Sequence, residues 1–137
     1  MSEKRSNCPI ATVLDIVGDR WTLLVIRDIA ILGKKSFSEL SASAEHIPPS
    51  TLSARLELLV RENLVTKSRV TGGPGRQYCY ELTKSGTDLI PVLAAMTHWS
   101  ARHDPDAPIT PAFAKRLQKT FGGVAKTLQL ENAFRGQ

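Results

Sequence analysis

The stretch that most constrains this chain is residues 36–64, SFSELSASAEHIPPSTLSARLELLVRENL. Its pattern predicts a short helix over 37–44, a tight connection through Glu45, His46 and Ile47, and a second helix entered at Pro48-Pro49. Proline is tolerated there because the first helical N–H groups have no intrahelical partner. Leu52, Leu56, Leu59 and Asn63 fall at steps of four, three and four, so one stripe faces inward while Ser50, Ala54, Glu57 and Arg61 face outward. The outward face starts with Ser50, Thr51, Ser53 and Ala54, small enough to enter a major groove and rich in hydroxyls. By itself the stretch reads more readily as an ordinary capped amphipathic helix.

The segment C-terminal to this helix favours groove entry. The runs 65–70 and 76–82 are rich in Val, Thr and Tyr, and Thr71-Gly-Gly-Pro-Gly75 separates them, which is a β-hairpin signal. Lys67, Arg69 and Arg76 make the hairpin basic, with no acidic residue between Leu64 and Tyr80. A lone hairpin is marginal, so Tyr78, Tyr80 and Leu82 are expected to pack on the helices, with Cys79 and Glu81 outward. A helix-turn-helix followed by a basic hairpin is a winged helix. The fold class expected is therefore mainly α with a small β-hairpin (α+β): a winged helix-turn-helix with additional N- and C-terminal helices.

In order along the chain, Cys8-Pro9 opens a helix with Ile10, Val13, Leu14 and Val17 as its stripe, and Gly18 ends it. Asp19 is placed to cap the next helix, where Trp21, Leu24, Val25, Asp28 and Leu32 align until Gly33. Lys34 and Lys35 come directly after it, either a phosphate-contacting pair or an ordinary solvated turn. From Thr83 a long helix is expected, with Leu89, Leu93, Met96 and Trp99 in register and a kink or break at Pro91. That stripe either closes a dimer or covers the domain's own core. Residues 104–111 read as a linker; Ala114, Leu117 and Phe121 then suggest a short helix stopped by Gly122-Gly123, and 124–134 is open between helix and extended arm. Residues 1–103 are thus read as a winged-helix DNA-binding domain with dimerisation helices, and 104–137 as linker and C-terminal helical extension.

The ordered motifs CPIATVLDIVGDRWTLLVIRDI, KKSFSEL, IPPSTLSARLELLVRENLV, YELTKSG and PVLAAMTHW resemble those of the HxlR-type winged-helix transcriptional regulators, relatives of the MarR group. The resemblance spans roughly the first three quarters of the chain. The glycine-rich wing and the tail after His103 depart from the family pattern. It implies a homodimer on a pseudo-palindromic DNA operator, touched by Lys34, Lys35, Ser50, Thr51, Ser53, Ala54, Arg55, Lys67, Arg69 and Arg76, with Leu89, Leu93, Met96 and Trp99 in the dimer interface. Arg55, about 60° off the apolar stripe, has Glu39 or Glu45 as alternative partners. Regulators of this type often sense oxidants, quinones or aldehydes through a cysteine matching Cys8, which stands where a helix N-terminus favours an anion.

Composition agrees without deciding. A net charge of +5 and a pI near 9.5 suit a polyanionic partner. No catalytic cluster, metal-ligand spacing or phosphate-binding glycine loop appears, so neither an enzyme nor a cofactor or metal is expected. There is no bilayer-length apolar run and no signal-peptide pattern at the start, which makes a cytoplasmic location, away from membranes, the expectation. Two readings from other classes compete: a winged-helix protein-interaction module, and a regulator gated by a small molecule between the dimer helices.

Overall fold

The computed structural model describes residues 5–73, 75–107 and 109–128, and side chains as far as Thr120. Its elements are α1 (Pro9–Val17), α2 (Thr22–Ala30), α3 (Phe37–Ser41), α4 (Pro49–Arg61), β1 (Val65–Val70), β2 (Gln77–Leu82), α5 (Lys84–Thr87), α6 (Ile90–His103) and α7 (Pro111–Leu128). The two strands pair antiparallel, from Val65 opposite Leu82 to Val70 opposite Gln77. This is a mainly helical winged helix-turn-helix.

The core gathers where α2, α4 and the base of the hairpin meet. Ile26, Leu52 and Leu59 are fully buried, joined by Val25, Leu40, Leu56, Val65, Tyr80 and Leu93. Removing this apolar surface from water, at about 25 cal/mol per Å2, is what holds the short elements in place. Local chemistry sets their limits. Ser36 and Glu39 form a reciprocal capping box at the start of α3. Asp19 accepts the backbone N–H groups of Trp21 and Thr22 at 2.9 and 3.0 Å, together with the Thr22 hydroxyl.

Several expected boundaries shift. α3 stops at Ser41 rather than residue 44, because Ala42 leaves helical geometry and the buried Ser43 hydroxyl accepts the Ile47 N–H at 3.3 Å. Asn63 lies outside the α4 stripe: the helix ends at Arg61, and Asn63 takes a left-handed φ of 60° that turns the chain into β1. The long helix expected from Thr83 is broken into α5 and α6 at residues 88–89, and Pro91 takes an early position in α6. α7 continues through Gly122-Gly123 to Leu128, since a glycine costs a helix only about 1 kcal/mol and does not by itself end one. The part of 124–134 beyond Leu128 lies outside the described residues.

The hairpin is tied down at its root. Thr83 donates its hydroxyl to the Asn63 carbonyl at 2.7 Å and accepts the Gly86 N–H at 3.1 Å. The Ser85 hydroxyl reaches the same Asn63 carbonyl at 3.3 Å, and Thr83 N–H donates to Leu64 O at 3.0 Å. Gly86 packs so closely that a Cβ there would stand 2.1 Å from the Leu64 carbonyl oxygen. Along the outer edge of β2, Tyr80 N–H donates to Lys35 O at 2.8 Å, so the segment before α3 lies beside the sheet.

Candidate nucleic-acid interface

α4 has two faces of different character. Leu52, Leu56 and Leu59 are buried, while Ser50, Ser53, Ala54 and Glu57 are exposed and Thr51 is half-buried. Pro48 and Pro49 lead into it with no side-chain cap, which leaves the first turn available to a partner. In the register of the hairpin, Lys67 and Arg69 lie opposite Tyr80 and Tyr78 and so share their face. That face turns toward α4. Lys67, Ser53, Glu57 and Arg61 rim a cleft of about 300 Å3 floored by Phe37, Leu56, Val60 and Tyr80. The Lys67 ammonium sits 4.2 Å from the centre of the Tyr78 ring, which stiffens a long side chain without neutralising it. Arg69 and Arg76 are exposed.

Two of the expected contacts behave differently from their neighbours in sequence. Lys34 does not act as a pair with Lys35. Its ammonium is 3.5 Å from Asp28 Oδ2 and 3.4 Å from the Ala42 carbonyl, whereas Lys35 is exposed, with only a loose 3.9 Å pairing to Glu81. Arg55 pairs with neither Glu39 nor Glu45. Its Nε lies 3.5 Å from Asp19 Oδ2 and is buried without a hydrogen-bond partner. Burial pushes the Asp19 carboxyl up, but the hydrogen bonds from Thr22 and Trp21, with Arg55 nearby, hold it below its ordinary value. Cys79 shares the outward row with Glu81, as expected, and is half-buried there. It lines a cleft of about 330 Å3 with Lys35, Arg76 and Tyr78, and its Sγ is 3.7 Å from Glu81 Oε1.

A group the sequence reading missed lies behind the interface. Arg27 is clamped between two carboxylates: Nε and Nη2 reach Asp28 Oδ1 at 2.9 and 2.7 Å, and Nη1 and Nη2 take both oxygens of Glu45 at 2.8 and 2.7 Å. The Glu45 hydrogen bonds raise the Arg27 pKa and hold the Glu45 carboxyl below its ordinary value. Asp28 is 2% exposed. An acid falling within the apolar stripe of α2 was the available signal, because a carboxylate there must find a cation.

The expected interface residues divide. Leu93, at 8% exposed, belongs to the core of the chain itself and Leu89 packs against that core. Met96 and Trp99 are 53% and 66% exposed, and on α1 Ile10 and Leu14 are 71% and 52% exposed. Cys8 is exposed at the start of α1, directly before Pro9. α7 packs back on α6, with Phe113 and Leu117 against the core. Among the described residues, no three His, Cys, Asp or Glu side chains gather where they could hold a metal ion, and no helix is long and apolar enough to cross a membrane.

Comparison with known proteins agrees with this architecture. The chain is 34% identical over 96 residues to the HTH-type transcriptional regulator Rv3095 of Mycobacterium tuberculosis, covering 70% of this chain and 59% of that one. The match thus spans somewhat over half the length of the mycobacterial relative. The crystal structure of PA1607, assigned as a transcription factor, superposes with a TM-score of 0.67 at 34% identity, covering 77% of this chain and 73% of that one. Quinone-bound YodB of Bacillus subtilis gives a TM-score of 0.57 at 28% identity, over 69% of this chain and 99% of YodB. The matching family and these relatives are transcription regulators, not enzymes. With residues 16–107 matching its profile, the chain belongs to the HxlR-like helix-turn-helix family.

Proposed function

We propose that the protein is a homodimeric, sequence-specific DNA-binding transcriptional regulator of the cytoplasm. The observation that carries this reading is the face at the start of α4, where Ser50, Ser53 and Ala54 are exposed and Thr51 is half-buried, together with the exposed cations Lys35, Lys67, Arg69 and Arg76. Small hydroxyl side chains at a helix N-terminus suit base edges in a major groove, and the cations suit the phosphates on either side. Arg55 joins them by turning from Asp19 to a phosphate. A protein-docking face would be apolar, and the exposed residues at the start of α4, Ser50, Ser53 and Ala54, include none of the large apolar side chains that anchor such a contact, Leu52 being buried in the core. The experiment is selection of bound sequences from random duplexes. An inverted repeat with half-sites about one helical turn apart supports the reading; no enrichment defeats it.

The homodimer is supported by the uncovered apolar side chains of α1 and α6, Ile10, Leu14, Met96 and Trp99. A small soluble domain gains by covering such side chains, and a second copy supplies the same chemistry across a twofold axis.

Regulation through Cys8 belongs to the same proposal. Its exposure at the end of α1 supports this, as does the likeness to YodB, whose structure was solved with quinone bound. A quinone would be attacked by the Cys8 thiolate at a ring carbon, forming a C–S bond while the ring takes up a proton and becomes a hydroquinone. A two-electron oxidant would instead join two Cys8 thiols as a disulfide, with loss of two protons. Either change sits beside the α1/α6 face and alters the spacing of the two α4 helices. Operator affinity should fall after quinone treatment in the wild type and in Cys79→Ser, but not in Cys8→Ser. An effect that survives in Cys8→Ser removes Cys8 from the mechanism.

A further inference from the structure

The Arg27 network spans three separate parts of the fold. Arg27 and Asp28 stand at the end of α2, Lys34 follows α2, and Glu45 lies in the turn that leads into α4. Lys34 also reaches the Ala42 carbonyl at the end of α3. Within the turn, Ser43 accepts the Ile47 N–H on its hydroxyl at 3.3 Å and the His46 N–H on its carbonyl at 3.1 Å, His46 adopts a left-handed φ of 58°, and Ile47 is the buried apolar anchor. Those contacts are local to the turn and its apolar anchor, whereas the bidentate Arg27–Glu45 contact ties the turn to α2 and fixes orientation as well as distance.

We propose that Arg27 is a positioning residue for DNA recognition: through the two oxygens of Glu45 it sets the direction in which the turn launches α4, and buried Asp28 and Lys34 hold Arg27 in place. The inference rests on the reading of α4 as the DNA-reading helix and adds residues that never touch DNA. It also gives Lys34 a different task from Lys35. The Lys34 ammonium is committed inward to Asp28 and the end of α3, and Lys35 is left to meet phosphate.

The test compares Arg27→Met, Arg27→Lys, Glu45→Gln and the Arg27→Met/Glu45→Gln double variant as full-length chains. Affinity for the selected duplex and for an unrelated duplex is measured across salt, and amide hydrogen exchange is followed in residues 44–50. Arg27→Met and Glu45→Gln are expected to lower affinity for the selected sequence by about tenfold, the loss of one charged bidentate contact. The unrelated duplex should be bound as before, and the salt slope should be unchanged because no phosphate contact is lost. The double variant should be no worse than the poorer single one, and Arg27→Lys should fall between. Exchange in the turn should quicken in Arg27→Met and in Glu45→Gln. Glu45 is exposed, so Glu45→Gln keeps the test alive if Arg27→Met leaves Asp28 unpaired and the chain unfolded. Unchanged affinity for the selected sequence in folded variants overturns the proposal, and so does a slope reduced by about one, which would make Arg27 a phosphate contact. If the wild type binds no duplex, the DNA reading has failed. Turn exchange alone then decides the clamp, and unaltered rates overturn it.

Discussion

Trp99→Ala is expected to dissociate the homodimer while leaving each chain folded. An aromatic side chain carries roughly 150–250 Å2 of surface that can be buried, and Trp99 is 66% exposed on the single chain. About 100–165 Å2 therefore remains to be covered, worth about 2.5–4 kcal/mol at about 25 cal/mol per Å2. Interfaces seldom cover a side chain completely, so about half is a sounder expectation, but twofold symmetry supplies two copies. The pair then contributes about 2.5–4 kcal/mol, a roughly hundredfold to thousandfold change in the dimer dissociation constant. The Trp99 ring also lies 5.0 Å from the His103 ring, tilted 44° to it, so its loss disturbs only the outer end of α6. Sedimentation equilibrium over a range of concentrations measures the constant, and far-ultraviolet circular dichroism checks that α6 persists. Leu93→Glu is the contrasting case. It places a charge in the chain's own core and should unfold the protein instead of separating two intact halves. A dimer constant unmoved by Trp99→Ala would refute the assignment of this face to a second copy.

Three further outcomes are expected. Lys35→Ala and Arg76→Ala should each weaken binding to all duplexes and flatten the log–log salt dependence by about one unit, whereas Lys34→Met should leave the slope alone; equal slopes for Lys34 and Lys35 variants would contradict their different geometry. Gly86→Ala should destabilise the fold by about 1–3 kcal/mol, because its Cβ meets the Leu64 carbonyl rather than a movable side chain; denaturant unfolding measures this, and an unchanged midpoint would show that the hairpin root gives way easily. Acid should weaken the fold. Glu45, through the Arg27 hydrogen bonds, and Asp19, through hydrogen bonds that outweigh its burial, have folded pKa values below their ordinary ones. Depressed carboxylates stabilise above about pH 4, and that contribution is lost as pH falls through the lower folded values. Thermal midpoints should therefore hold from about pH 7 to 5 and decline below about 4, with a shallower decline in Asp19→Asn; identical profiles for wild type and variant would count against the Asp19 interactions.

Much of the architecture was legible because it rests on local chemistry. The leucine steps of α4, the proline start, the glycine tip between two alternating runs and the break ahead of Pro91 are all signals within one or two turns of chain. The interface was less legible, for reasons that differ by residue. Ser50 to Ala54 stand out because their helix face is fixed by the buried leucines. Lys34 and Lys35 look identical in sequence, and only the position of Asp28 separates them. Arg27 and Glu45 are 18 residues apart, with no periodicity to join them. Leu93 and Trp99 belong to one expected stripe, but six residues of helix put them about 120° apart, so one faces the core and the other does not. The limit of α3 was missed because Ser43 spends its hydroxyl on the Ile47 amide, a choice helix propensity does not report.

The anchoring of the hairpin has a mechanical consequence. Thr83, Ser85 and Gly86 fasten its root to Asn63 and Leu64, while its tip turns through Gly72 and Gly75 at φ of 90° and 72°. It is a cantilever with a stiff clamp and a compliant end. Glycines at positive φ are where the tip has backbone freedom to give, whereas the clamped root keeps its place beside the end of α4. On the proposed DNA reading, a wide or narrow minor groove would be met by adjustment at the tip rather than by the helix beside it. Under that reading the wing would tolerate variation in the DNA flanking a site and leave discrimination to α4.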